Sequence, residues 1–169
     1  MTEHEQLPIV VGVDGFETGR RALDWALREA QVRRCALQVV HAWVYEPMAD
    51  FRETSSQQLH QESLTMLRRE IERATSGMTN VPPITQNSVR GDPASVLLEV
   101  ASGAAMLVVG RHQGGLIRQA LVGSVSAVCV RHAICPVVVI PAAVTQPEEA
   151  SSAEPAAASQ GLQPGLALG

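Results

Sequence analysis

Leu7-Pro8-Ile9-Val10-Val11-Gly12-Val13-Asp14-Gly15 is an apolar run too short for a helix, rich in β-branched residues and closed by a turn-forming Asp-Gly pair. It predicts a buried strand with a loop at its carboxyl end. The period then changes: Ala22, Leu23, Ala26, Leu27 and Ala30 recur at helical spacing over Arg20 to Gln31, with Thr18 available as a cap. A second strand is expected over Ala36 to Trp43. A polar connection, Val44 to Glu53, follows, and Leu64, Leu67, Ile71 and Ala74 mark a helix that closes near Gly77. Ile84 to Arg90 fits a third strand. Asp92-Pro93 supplies an N-cap and a first-turn proline for a helix burying Val96, Leu97, Val100 and Ala101. Met106 to Val109 is the fourth strand, Ser124 to His132 a helix with Val125, Val128 and Cys129 inward, and Val137 to Ile140 the fifth strand.

This alternation predicts an α/β domain, a parallel sheet covered on both faces by right-handed crossovers. Ligands of such sheets bind beyond the carboxyl ends of the strands, where the winding reverses. The loops at Asp14-Gly15 and Gly110 to Gly115 are therefore the places to look for a site. Residues 1–6 are expected to be an extension, 7–141 the domain, and 142–169 a disordered tail of Ala, Ser, Pro, Gly and Glu without an apolar period.

The chain has 169 residues, 46% hydrophobic and only 3% aromatic, which suits one domain with an aliphatic core. All 13 basic residues are Arg, against 17 acidic ones. The lack of Lys excludes a Schiff-base lysine and a complete P-loop. The net charge of −4 argues against bulk nucleic-acid binding. No apolar run approaches the roughly 20 residues of a membrane span. Met1 to Gln6 lacks the basic and apolar regions of a secretory signal, so a cytoplasmic protein without membrane contact is expected. Cys35, Cys129 and Cys135 form no CxxC pair and are expected to be small buried thiols rather than a disulfide or zinc framework.

Gly110-Arg111-His112-Gln113-Gly114-Gly115, with Gly123-Ser124 opening a helix further on, suits an anion. Glycines let main-chain N–H groups approach phosphate oxygens, the helix N-terminus favours negative charge, and the hydroxyl of Ser124 or Ser126 can donate. Arg111 is the nearby cation. The same glycines also suit a plain tight turn. Asp14 could accept ribose hydroxyls or hold Mg2+, or bond the backbone of its own turn. His41 is expected to be a satisfied core or rim histidine, and Trp25 and Trp43 to be packing residues. No nucleophile with a paired base is visible, so no catalytic residue is expected.

Ile9 to Gly15, Val39-Val40-His41-Ala42-Trp43, and Leu107 to Gly110 continuing through Gly123-Ser124-Val125-Ser126 to Cys135-Pro136-Val137-Val138-Val139 together resemble the universal stress protein family. The resemblance implies a five-stranded parallel sheet of order 3-2-1-4-5 and a homodimer paired through its last strands, here Val137 to Ile140. It also implies an ATP site, with the loop pattern G-x2-G-x9-G-[ST] holding phosphates and ribose. On this chain Gly110, Gly123 and Ser124 match that pattern. Position 113 is Gln, and Gly114 lies next to it. Val13, Asp14 and the Ala42 main chain match the positions that enclose the nucleotide and recognise adenine. Phe16 and Gly19 stand where many relatives carry serines, and Ala105 where many carry an aspartate. The implied function is an ATP-binding stress-response regulator, possessing little or no turnover. A nucleotide-free dimeric interaction protein of the same fold is the alternative, with Gln113 in its favour.

Overall fold

A computed structural model describes residues 6–45, 55–111 and 124–143. The elements alternate: β1 (Ile9–Gly12), α1 (Glu17–Arg33), β2 (Leu37–Trp43), α2 (Ser56–Thr75), β3 (Ile84–Arg90), α3 (Pro93–Val100), a 3-10 turn at Ala101–Gly103, β4 (Met106–Gly110), α4 (Ser124–His132) and β5 (Val137–Ile140). The five strands form one sheet of order β3-β2-β1-β4-β5. Every pairing is parallel. β1 and β4 lie side by side in the middle although α1, β2, α2, β3 and α3 separate them in the chain. Winding reverses there, so the crevice beyond their carboxyl ends is the switch point of the sheet.

The sheet divides the core in two. Ile9, Val11, Leu37, Val39 and Val108 point to the side covered by α1 and α2, where they meet Leu23, Leu27 and Leu67. Val10, Val40, Leu107 and Val109 point to the other side and meet Val96 and Leu97 of α3 and Cys129 of α4. Central strands buried on both faces read as unbroken apolar runs, which is why Ile9 to Val11 and Met106 to Val109 contain nothing polar.

Several element ends depart from expectation. Leu7 is 58% exposed and lies before β1 rather than within it. Thr18 is not the cap of α1: the N-cap is Phe16, which makes no side-chain cap bond, and Thr18 lies inside the helix. The Asp14 carboxylate closes the turn just ahead of the helix, its Oδ1 accepting the N–H of the N-cap residue Phe16 at 3.0 Å. Gly15 makes this reach possible, because its φ of 78° turns the chain back over the strand end. α2 starts at Ser56, well before Leu64. Its N-cap, Ser55, accepts the Gln58 N–H at 3.1 Å. α3 is capped as expected, with Asp92 accepting the Ser95 N–H at 3.0 Å and Pro93 in the first turn. In α4, Cys129 is inward and Val125 packs on the second core, whereas Val128 is half-buried and Ser126 takes the buried position. The expected tail from Val144 onward, and residues 1–5, lie outside the described residues.

Candidate functional site

The ends of β1, β2 and β4 bring most of the described site residues to one rim of the sheet. Val11 pairs with Val108 and Gly12 with Val40, so continuing each register by two residues sets Val13 level with Gly110 and Asp14 level with Ala42. Val13 is buried and donates its N–H to the Val40 carbonyl at 2.9 Å, which prolongs the ladder to the edge of the crevice. Asp14 is exposed there. Its orientation is fixed by the Phe16 N–H, so the carboxylate both closes its own turn and stands at the switch point.

Two glycines allow α1 to come this close. A Cβ on Gly19 would press directly on Asp14 Oδ1, and a Cβ on Gly110 would sit 2.7 Å from the Thr18 carbonyl carbon and oxygen. The first turn of α1 therefore wedges between the ends of β1 and β4. Gly110 has a packing role that the loop reading did not foresee, and Gly19, noted in the sequence only as a replacement for serine, packs on Asp14.

Arg111 is half-buried and donates its N–H to the Ile140 carbonyl at 2.7 Å, so the start of the glycine loop is held by β5. Of the helix residues beyond the loop, Ser124 is exposed at the first turn of α4, Val125 is half-buried and Ser126 is 2% exposed. The hydroxyl nearest solvent is thus that of Ser124. Gly114, Gly123, His112 and Gln113 lie outside the described residues, as does the connection from Glu46 to Thr54.

A groove of about 420 Å3 opens beside Gly15 between α1 and α2, lined in part by Arg20, Met66, Arg69 and Glu70. Its floor is ionic. Glu70 is almost fully buried and accepts from Arg20 Nε at 2.9 Å, Arg20 Nη2 at 3.0 Å and Arg73 Nε at 3.2 Å. Burial pushes the Glu70 carboxyl up, but the hydrogen bonds and charges of Arg20 and Arg73 together outweigh it and hold the group below the usual carboxylate range. Arg73 also binds Asp24 of α1 at 3.0 Å, so the network ties α2 to α1.

His41, one residue before Ala42, is half-buried beneath α2, and its Nδ1 lies 2.8 Å from Ser63 Oγ. Burial lowers its pKa, and the Asp14 carboxylate pulls in the other direction. The expectation of a satisfied histidine holds, and Trp43 proves more than packing, since its Nε1 donates to Ser88 Oγ at 3.1 Å. Among the described residues no cluster of three His, Cys, Asp or Glu side chains could hold a metal ion. Their three cysteines are free thiols, Cys35 and Cys129 being buried. No described helix is long and apolar enough to cross a membrane.

A doubly wound parallel sheet with a carboxylate and glycines gathered at its switch point defines an α/β protein of the adenine-nucleotide-binding type of fold. Residues 7–141 match the model of the universal stress protein family, and the chain belongs to that family. It is similar to a universal stress protein of Mycobacterium tuberculosis, 32% identical over 157 residues that cover 82% of this chain and 49% of the relative. The chain thus spans about half the length of the mycobacterial relatives it matches. A universal stress protein of Thermus aquaticus is 32% identical over 140 residues, covering 78% of this chain and 96% of the relative. Among solved structures, a universal stress protein in complex with cAMP superimposes with a TM-score of 0.64 at 26% identity, covering 81% of this chain and 98% of that one.

Proposed function

We propose that this protein binds an adenine nucleotide, ATP with Mg2+, at the switch point and acts as a stress-response regulator possessing little or no turnover. The observation that carries the reading is the placement of Asp14: it sits level with Ala42, is held by the Phe16 N–H, and is reached by α1 only because Gly19 and Gly110 lack side chains. A carboxylate fixed in that position suits ribose hydroxyls or one coordination place of Mg2+, which commonly takes one or two carboxylates plus phosphate oxygens. Ala42 offers main-chain groups to adenine. Gly110, Arg111, Gly114, Gly123 and Ser124 are assigned to phosphate, with Val13, Val125 and Ser126 as the supporting wall. The cAMP-bound relative supports an adenine nucleotide as the ligand class.

The working unit in this reading is a cytoplasmic homodimer. β5 is an edge strand whose four residues, Val137 to Ile140, are apolar and only half-buried, so pairing with a second copy would cover them. The alternative, a dimeric interaction protein without nucleotide, draws on Gln113, which falls in the sequence at a position that is glycine in the family pattern.

The test is to purify the protein without added nucleotide, denature it, identify released small molecules by mass, and titrate the stripped protein with magnesium ATP. Copurified nucleotide or micromolar affinity is expected, together with loss of binding and retention of the dimer in Gly123→Asp, which puts a charge and a Cβ into the anion seat. An empty protein that ignores millimolar magnesium ATP would select the alternative.

A further inference from the structure

Between α2 and the ends of β2 and β3 lies a chain of polar side chains with no place in the nucleotide contacts. His41 Nδ1 meets Ser63 Oγ at 2.8 Å, Ser63 Oγ meets Ser88 Oγ at 2.6 Å, and Ser88 Oγ meets His60 Nδ1 at 3.1 Å. Trp43 Nε1 donates to Ser88 Oγ, and its ring lies 5.9 Å from that of His60. His41 and Trp43 are the two neighbours of Ala42, so both flanks of the proposed adenine position are tied through this chain to α2.

Proton counting restricts its states. An indole N–H can only donate, so Ser88 accepts from Trp43 and has one further acceptor place and one hydrogen for Ser63 and His60. Three links join four groups, and the two hydroxyls supply two hydrogens. The third must come from one imidazole Nδ1, and the other Nδ1 must be bare. His60 donating toward a bare His41 satisfies every group, and so does the reverse. When both imidazoles are charged, Ser63 accepts from His41 and Ser88 and its own hydrogen finds no acceptor in the chain. Ser63 is 3% exposed, so water cannot readily take that hydrogen. Of the ionisable groups on the surrounding described elements, Asp14 at the end of β1 faces His41 and favours its charged form. Tyr45 and Arg90 are occupied with each other, Arg90 lying 5.2 Å over the Tyr45 ring at the ends of β2 and β3. Glu62 is exposed on α2, and Arg20 of α1 is bound to Glu70.

We propose that His41, His60, Ser63 and Ser88 are positioning residues for the end of β2, holding Ala42 in place for adenine while the chain carries a single Nδ1 proton and loosening it when both imidazoles are charged. The proposal rests on the nucleotide reading above and adds pH as an input to it. His→Asn substitutions test it, since an Asn side chain reproduces the reach of Nδ1 but does not titrate.

Two readouts are taken on the full chain between about pH 8 and about pH 5, on either side of the ordinary imidazole range. One is adenine-nucleotide affinity by calorimetry, and the other is the tautomer and titration of each imidazole by nitrogen-15 NMR. In the wild type, affinity is expected to fall about tenfold toward the acid end, a normal size for coupling between sites. One Nδ1 should be protonated and one bare at the alkaline end. His41→Asn and His60→Asn should reduce the acid loss to the part set by protonation of the nucleotide's own terminal phosphate, at about pH 6, and Ser63→Ala should remove the tautomer preference. An unchanged acid loss in both Asn variants would overturn the proposal, as would two imidazoles with the same tautomer. If the wild type binds no nucleotide at any pH, the nucleotide reading fails by itself. The role of the chain in fixing β2 is then decided by NMR, through loss of the Ala42 amide's exchange protection when both imidazoles charge, or its persistence.

Discussion

α1 and α2 cover the same face of one sheet, the first with an all-apolar contact and the second with a mixture of apolar and polar ones. α1 buries Ala22, Leu23, Ala26, Leu27 and Ala30, all at 0 to 1% exposure, against β1 and β4. The buried positions of α2 are Ser63, Leu67 and Glu70, set over β3, where no residue is fully buried. Close-packed apolar contact makes the first region a rigid platform, since such cores lose free energy with each missing methylene. In the second region, hydrogen bonds and ion pairs join the apolar contacts of Leu67, Met66, Ile71 and Ala74 in holding the helix, and these polar links depend on protonation and on complete partnering. Stability is expected to reside under α1 and responsiveness under α2, with the crevice between them.

The largest test of that contrast is Leu23→Ala. It removes a fully buried side chain at the centre of the α1 core and is expected to cost about 2–5 kcal/mol in denaturant unfolding. Glu70→Gln, under α2, keeps the volume and some hydrogen bonding and is expected to cost about 1–3 kcal/mol. The lower part of that range applies because Arg20 and Arg73 are each more than a third exposed and can turn to water. Equal losses in the two variants would break the contrast.

Gly19→Ala sharpens it at the boundary. The added Cβ meets Asp14 Oδ1, so either the carboxylate leaves the Phe16 N–H or the first turn of α1 retreats. The cost in stability is expected to be about 1–3 kcal/mol, the usual range for overpacking. The greater effect should fall on nucleotide affinity, which would drop with the orientation of Asp14. Full affinity in a folded Gly19→Ala protein would remove Asp14 from the contact set.

The same contrast explains what the sequence made legible. Under α1 the apolar period and the buried strand runs are unambiguous, and they specify the platform, the switch point and the position of Asp14. Under α2 the first two turns, Ser56 to Ser63, contain one leucine among polar residues, so the apolar period emerges only near Leu64, two turns after the helix begins. Ser63 and Glu70 look like a solvated face until β3, with Ser88, and α1, with Arg20, supply partners from distant parts of the chain. Hydrogen-bond partners separated by 25 and 50 residues leave no local periodic trace. The start of α1 misled for a related reason: Thr18 has the chemistry of a cap, but the Asp14-Gly15 turn brings the chain into the helix two residues earlier, at Phe16.

The smallest effect expected is the pH dependence of folding, which the two regions should divide by window. Glu70 has its carboxyl held below the ordinary range, so the folded state resists protonation there more than the unfolded chain does. That contribution is complete above the ordinary Glu value and is lost as pH falls through the depressed folded value. His41 is also lowered, by burial, but its favoured form is the neutral one. The unfolded chain therefore binds a proton first on acidification, and stability declines as pH falls from the ordinary imidazole value toward the folded one. Denaturation midpoints measured across both windows should show two separate declines. Glu70→Gln should reduce the acid-most decline, to which Asp92, held low by the Ser95 N–H and hydroxyl, also contributes, and leave the other. His41→Asn should remove the decline at higher pH and leave the acid one, and Leu23→Ala should lower the whole curve while preserving its shape. A single decline unaffected by either polar variant would place the titrating groups elsewhere and undo the assignment of responsiveness to α2.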